Sequence, residues 1–266
     1  MTTVYGDLVR YRELFGNLFR REVQAKYRGS ILGVAWTLAN PVLLMGVYLL
    51  VFSVLWKTPF GTEGHYALFL LVGLTAWIFF ATAVQAASRS MLDNANLIRK
   101  TRFPRQLVPL SIVATHLISF AVMLVALLAL NFALLPRVRG TEWLALPLGL
   151  AVVAITSGLA LAIAALNVLF RDIEFLVAAL LLPLFFLTPV LYPLGDPQIA
   201  RRDWVVDVLH WGNPLAPVVE ALRDPLFYGR VPGLADTLYT VAAALVALAL
   251  GAFVFSRVDD QIAVEV

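Results

Sequence analysis

The chain alternates between long stretches without a charged side chain and short polar segments. No Asp, Glu, Lys or Arg occurs in 31–56, 66–88, 106–136, 143–170, 175–195 or 237–256. About 20 apolar residues, each rising ~1.5 Å along a helix, cross a hydrocarbon core of ~30 Å. All six stretches pass that test. A charge at mid-bilayer costs at least ~2.5–3.5 kcal/mol on insertion scales, so gaps of this length do not arise by chance. The pattern predicts an all-α integral membrane protein with six transmembrane helices.

The polar segments carry their own patterns. In residues 1–30, Val4, Leu8, Tyr11, Leu14, Phe15, Leu18 and Phe19 share one half of a helical wheel, with Arg10, Glu13, Arg20 and Arg21 opposite. A basic amphipathic helix joined directly to a span is expected to lie in the membrane interface; the alternative is a cap over the bundle. Between the second and third spans, Arg99, Lys100, Arg102 and Arg105 crowd together after Asn94-Ala95-Asn96-Leu97-Ile98. Leu92, Leu97, Ile98 and the asparagines predict a short amphipathic helix ended by Phe103-Pro104. Such a helix at the mouth of a bundle is a docking surface for a soluble partner.

Asn40-Pro41 predicts a kink in the first span. Arg171-Asp172 forms a tight turn between the fourth and fifth spans, where Arg171 can pair with Asp172 or Glu174. Pro183, Pro189, Pro193 and Pro197 break the end of the fifth span. Residues 196–235 then predict two short external helices, one striped with Trp204, Val205, Val208, Leu209 and Trp211, the other opened by Asn213-Pro214 as N-cap and first helical position. The domain organisation is a single unit: an arm (1–30), a six-span bundle (31–256) and a tail (257–266).

Composition agrees with this pattern. The chain is 61% hydrophobic and 14% charged, with a mean hydropathy of +0.86, against the ~25% charged residues of a soluble domain. Its net charge of +3 invites a nucleic-acid reading, but the location of the charges opposes it. With the N-terminus inside, 13 of the 20 Lys and Arg residues fall on the cytoplasmic side and 7 outside. The excess sets topology, with both termini cytoplasmic. No cleavable signal peptide is expected, because the first apolar run begins only near Ile31.

Catalytic chemistry finds no footing. The chain has no cysteine, and His65, His116 and His210 are scattered, so neither a thiol nor a zinc site is expected. The lysines Lys26, Lys57 and Lys100 follow Ala25, Trp56 and Arg99, so no Walker-type phosphate loop exists. A Gly-x-Ser-x-Gly elbow is missing too. No catalytic residue, metal or cofactor of its own is expected. Sugars lie well on aromatic rings, and Tyr48, Phe52, Trp77, Phe80 and Tyr192, with Pro189, are candidates for lining or gating a channel.

Taken together, Tyr11-Arg12-Glu13-Leu14, Lys26-Tyr27-Arg28-Gly29-Ser30-Ile31-Leu32-Gly33, Trp36, Asn40-Pro41, Asn94-Ala95-Asn96-Leu97-Ile98, Lys100, Phe103-Pro104, Asn167, Arg171-Asp172, Thr188-Pro189-Val190 and Asn213-Pro214-Leu215 resemble the membrane subunit of a type-2 ABC exporter. The branch is the one that moves O-antigen, capsule or teichoic acid across the bacterial inner membrane. The resemblance implies a homodimer around a channel. It also implies two copies of a separate ABC ATPase subunit, which would hold the ATP and Mg and grip the helix built from Asn94, Asn96, Arg99, Lys100, Arg102, Phe103 and Pro104. The implied cargo is a glycan on a polyprenyl pyrophosphate lipid. Arg20, Arg21, Lys26 and Arg28 are then candidates to attract the pyrophosphate or to anchor on lipid headgroups. An exporter of small molecules or drugs is the alternative. A membrane glycosyl- or acyltransferase is a further one, although Asp93, Asp172 and Glu174 form no recognisable catalytic set.

Overall fold

The computed structural model describes residues 4–29, 33–55, 65–100, 103–134, 140–195 and 203–265. They form α1 (Gly6–Arg10), α2 (Arg12–Tyr27), α3 (Trp36–Leu49), α4 (Tyr66–Asp93), α5 (Ala95–Lys100), α6 (Leu107–Leu134), α7 (Ala145–Leu169), α8 (Ile173–Leu187), α9 (Asp203–Trp211), α10 (Ala216–Arg223) and α11 (Leu234–Glu265). π-helical turns continue α3 through Leu50–Leu55 and α10 through Asp224–Tyr228. Among the described residues there is no strand.

Among the described residues, four helical segments are long and apolar enough to cross a membrane: Tyr66–Asp93, Leu107–Leu134, Glu142–Leu169 and Leu234–Asp259. The first and fifth predicted spans appear as shorter apolar helices, Ala39–Leu49 and Ile173–Leu187. Both departures have local causes. Pro41 lies inside α3, which then widens into the π-turn. Helix α8 runs through Pro183 and stops where Thr188 turns extended, at φ −88° and ψ 133°. The expected proline break is therefore present, beginning at Thr188. At ~1.5 Å per residue, the 15 residues of α8 fall short of a full crossing.

Helix α4 is the centre of the bundle. Its apolar window is 78% buried, against 28% for α6 and for α11. Phe69, Leu70, Leu74, Ala83 and Ala87 on α4 pack with Val152, Ile155 and Ala160 on α7 in the main core. With no water available in a hydrocarbon core, a helix is viable because its backbone is satisfied internally. Its hydroxyls follow the same rule: Thr75 donates to Leu71 O (2.7 Å), Thr115 to Ser111 O (2.9 Å) and Thr156 to Val152 O (2.8 Å). Helices α7 and α11 approach until their backbones touch at Gly158 and Gly251. A Cβ on Gly158 would overlap the Ala247 carbonyl, and one on Gly251 would sit 2.8 Å from the Gly158 Cα.

A second core closes the α5 end, where Leu18, Met91, Ile98, Leu107, Phe255 and Ile262 are buried together. Here two expectations change. The apolar stripe of the arm, including Leu8, Leu14, Phe15 and Leu18, packs onto this core, so its apolar half faces protein rather than lipid. Polar contacts fix it there: Gln106 donates to Asp7 Oδ2 (2.6 Å) and the Tyr5 hydroxyl to Leu248 O (2.8 Å). The predicted tail from Arg257 is likewise part of α11, which continues as one helix to Glu265. Arg105 Nη1 holds it by bonds to Asp259 O (2.5 Å) and Asp259 Oδ1 (2.9 Å).

Candidate functional site

At the α5 end, the predicted amphipathic helix exists as α5. Ile98 is buried while Asn96, Arg99 and Lys100 are exposed, so the helix is anchored by one face and presents the other. Asn94 caps the preceding turn, donating from Nδ2 to Ser90 O (2.9 Å) and accepting from Arg21 Nη2. Phe103 packs against the second core with Pro104 beside it. Arg102 lies outside the described residues.

The adjoining turn differs from its predicted pairing. Glu174 is salt-bridged to Arg89 of α4 at 3.1 Å, not to Arg171, and Arg171 and Asp172 are exposed. The side chain that starts α8 is Asn167, whose Oδ1 accepts the Glu174 N–H at 2.9 Å. An asparagine in the last turn of one helix thus caps the next one.

Of the four arm cations, Arg20 and Arg28 are exposed, and Arg21 is engaged with Glu22 (2.6 Å) and Asn94. Lys26 is exposed as well, but its side chain lies against α6. Its Nζ donates to Ser119 Oγ at 3.1 Å, about 18 Å along α6 from the Leu107 end. It shares a cavity of about 300 Å³ with Tyr27, Trp36, Asn40, His116 and Ser119. Burial pulls the Lys26 ammonium below its ordinary pKa.

The aromatic candidates divide. Tyr48 and Trp77 border a separate cavity of about 360 Å³ between α3, α4 and α8, where both meet Phe185, with ring centroids 5.8 and 5.3 Å apart. Phe80 is buried in the main core, its ring tilted against that of Trp77 with centroids 5.9 Å apart. The side chain of Phe52 lies outside the described residues.

Beyond α8, Pro189 is buried in the broken segment and the Tyr192 hydroxyl donates to Phe186 O at 2.8 Å. Among the described residues the largest fully buried side chain lies beside that break, and it belongs to one of the seven cations counted as external. It is Arg223 of α10, with no exposed surface. Its Nη2 donates to Val190 O (2.6 Å), its Nη1 faces Glu220 Oε1 (3.4 Å), and its guanidinium lies 3.7 Å from the centre of the Phe69 ring. Gly73 supplies the room, since a Cβ there would come within 2.8 Å of Arg223 Nη2. A cation over an aromatic face and a short carbonyl bond compensate a burial that an unpaired charge would not survive. The signal available in the sequence was an i,i+3 Glu–Arg pair embedded in Val218, Val219, Ala221 and Leu222. Asn213 also differs from prediction. It forms a turn three residues before α10, its Oδ1 accepting the Leu215 N–H (3.0 Å) and its Nδ2 donating to Thr188 Oγ1 (2.8 Å).

The chain thus joins a multi-helix bundle, an anchored basic helix and a further helix, α10, locked onto a broken one. Residues 13–227 match the family described as ABC-2 type transporter. The chain belongs to that family. Among curated relatives, an O-antigen export system permease protein of Myxococcus xanthus is 36% identical over 251 residues, 93% of each chain. Two further O-antigen export system permeases, both from Klebsiella pneumoniae, are 29% and 28% identical. They cover 79% of this chain and 78% and 79% of their own length. As a member of the ABC-2 family, the protein is a multi-pass membrane protein and a transporter membrane subunit.

Proposed function

We propose that this chain is the channel-forming subunit of an ATP-driven exporter that moves an O-antigen-type polysaccharide, carried on a lipid, out across the bacterial inner membrane. The observation that carries the reading is the 36% identity to an O-antigen export permease over 93% of both chains. In this reading α3 and α8 complete six crossings as part of a homodimer. Both chain ends and α5 face the cytoplasm, and α9 and α10 face outward. Two ABC ATPase subunits supply hydrolysis, one docking on each α5, where Asn96, Arg99 and Lys100 are exposed on a helix that Ile98 holds down. Tyr48 and Trp77, on the cavity beside α8, are the aromatics in position to meet sugar.

Deleting the gene is expected to remove the polysaccharide from the cell surface and to leave lipid-linked polymer in the cytoplasm. Unchanged surface glycan without that build-up would refute the cargo assignment. Charge reversal at Lys100 (Lys100→Glu) is expected to weaken co-purification of the ATPase at least tenfold and leave thermal unfolding of the bundle unchanged. A pull-down with quantified ATPase, run beside the melting curve, checks both. Surface cation pairs are individually weak, so the double variant R99E/K100E should show the larger loss.

A further inference from the structure

We propose that the cavity between α2, α3, α4 and α6 is a binding site for the phosphate group of a membrane lipid, with Lys26, His116 and Ser119 as its polar end. The lining chemistry selects an anion. Lys26 Nζ spends one N–H on Ser119 (3.1 Å) and keeps two, the Ser119 hydroxyl and an imidazole N–H of His116 are donors, and no acidic residue lines this cavity. Tyr27, in the same wall, has a buried hydroxyl with no hydrogen-bond partner among the described residues. Lys26 lies at the exposed rim of this cavity, where its two remaining N–H groups can make charge-assisted bonds to a phosphate seated inside.

The remaining walls explain why the anion should belong to a lipid. Trp36, Pro41, Ile78 and Met123 also line the space, so the cavity joins a cationic end to an apolar flank. Its ~300 Å³ lies at the small end of ligand pockets, ~300–1,000 Å³, enough for a headgroup with the start of its chain. A second cavity of about 330 Å³ adjoins it through the shared residues Lys26 and His116. That cavity descends toward the α5 end past Arg89 and Gln85, and the Gln85 Oε1 is likewise buried without a partner among the described residues. Glu22 and Asp93 line this second cavity as well, so the carboxylate-free end is the one at Ser119 and Tyr27. The site deepens the exporter reading and rests on it for one point, the preference for the cargo's own lipid carrier over bulk phospholipid.

The test uses the permease purified with its ATPase in neutral detergent and measures lipid retention by native mass spectrometry. Three probes are compared: polyprenyl diphosphate, phosphatidylglycerol and the uncharged polyprenol. Wild type should retain the two phosphorylated lipids and not the polyprenol. Lys26→Gln should weaken phosphorylated-lipid binding roughly tenfold or more, the scale of one lost bond to a charged group. His116→Gln should weaken it less, and Lys26→Arg should restore it, which separates loss of the site from misfolding. Arg20→Gln and Arg28→Gln, at exposed positions, should bind as wild type. Tighter binding of the diphosphate identifies the carrier of the cargo as the ligand, and equal binding identifies bulk phospholipid; either outcome supports the phosphate site. Undiminished binding by Lys26→Gln, equal retention of polyprenol, or equal loss in the Arg20 and Arg28 variants would overturn it. If Lys26→Gln fails to weaken binding but gene deletion still strips surface glycan, the site falls and the exporter stands. If Lys26→Gln weakens binding and surface glycan survives deletion, the exporter falls and the site stands.

Discussion

Alanine at Gly158 is expected to lower the thermal unfolding temperature of the purified protein by at least ~6 °C, the equivalent of about 3 kcal/mol at this chain length. Ordinary overpacking costs ~1–3 kcal/mol because side chains shift to absorb it. At Gly158 no side chain is in the way. The new methyl would overlap the Ala247 carbonyl and stand 2.7 Å from the Leu248 nitrogen, so the two helix backbones must separate. Alanine at Gly251 meets the Gly158 backbone from the other side and should behave alike. Gly46→Ala is the control: nothing lies within 4 Å of its added Cβ, and alanine favours a helix over glycine. Melting curves of the three variants in one detergent decide the matter, and an unshifted Gly158→Ala would show that the helices do not meet this closely.

Truncating Arg223 is expected to cost about 3–5 kcal/mol, the range found when one partner of a buried ion pair is removed. Arg223→Ala leaves the Val190 carbonyl without its donor and Glu220 without its cation. Burial already holds the Glu220 carboxyl above its ordinary pKa despite Arg223. A carboxyl whose pKa is raised on folding favours the folded state at low pH and loses that contribution as pH rises. Without the arginine that dependence should steepen, so Arg223→Ala should be distinctly less stable near pH 8 than near pH 5. The double variant E220Q/R223M, which leaves no buried charge, should recover part of the loss and flatten the pH profile. Unfolding curves of wild type, single and double variants across pH measure the coupling directly. Additive losses would mean that Glu220 and Arg223 do not act as a pair.

The four long apolar helices were legible because the rule behind them is close to absolute. Lipid tolerates no unpaired charge, so charge-free gaps mark where helices lie whatever their tertiary partners. Helix α5 was legible for a similar reason, since Ile98 among cations leaves one face to bury and one to expose. What the sequence hid depends on distance along the chain. Lys26 meets Ser119, Arg105 meets Asp259 and Arg223 meets Val190, and no local pattern connects any of these. Counting Arg223 among the external cations carried no information on its burial, which its neighbours in space impose. The partner of the arm's apolar face was hidden by the same route. An amphipathic helix reads identically whether its apolar face meets lipid or protein, and only the Asp7–Gln106 and Tyr5–Leu248 bonds distinguish the two.

The backbone contact of α7 with α11 also constrains how the protein can change shape. Sliding one helix by a turn would bring Ala247 or Phe255 to the place that Gly251 now occupies against Gly158, and neither fits where a bare Cα is required. The two helices therefore act as one rigid stave, and a passage wide enough for a hydrated chain has to come from other parts of the bundle. Helices α3 and α8 qualify: each is short, contains a proline, and turns an apolar face away from the core. In the exporter reading they would be the movable shutters of a frame that α7 and α11 hold fixed.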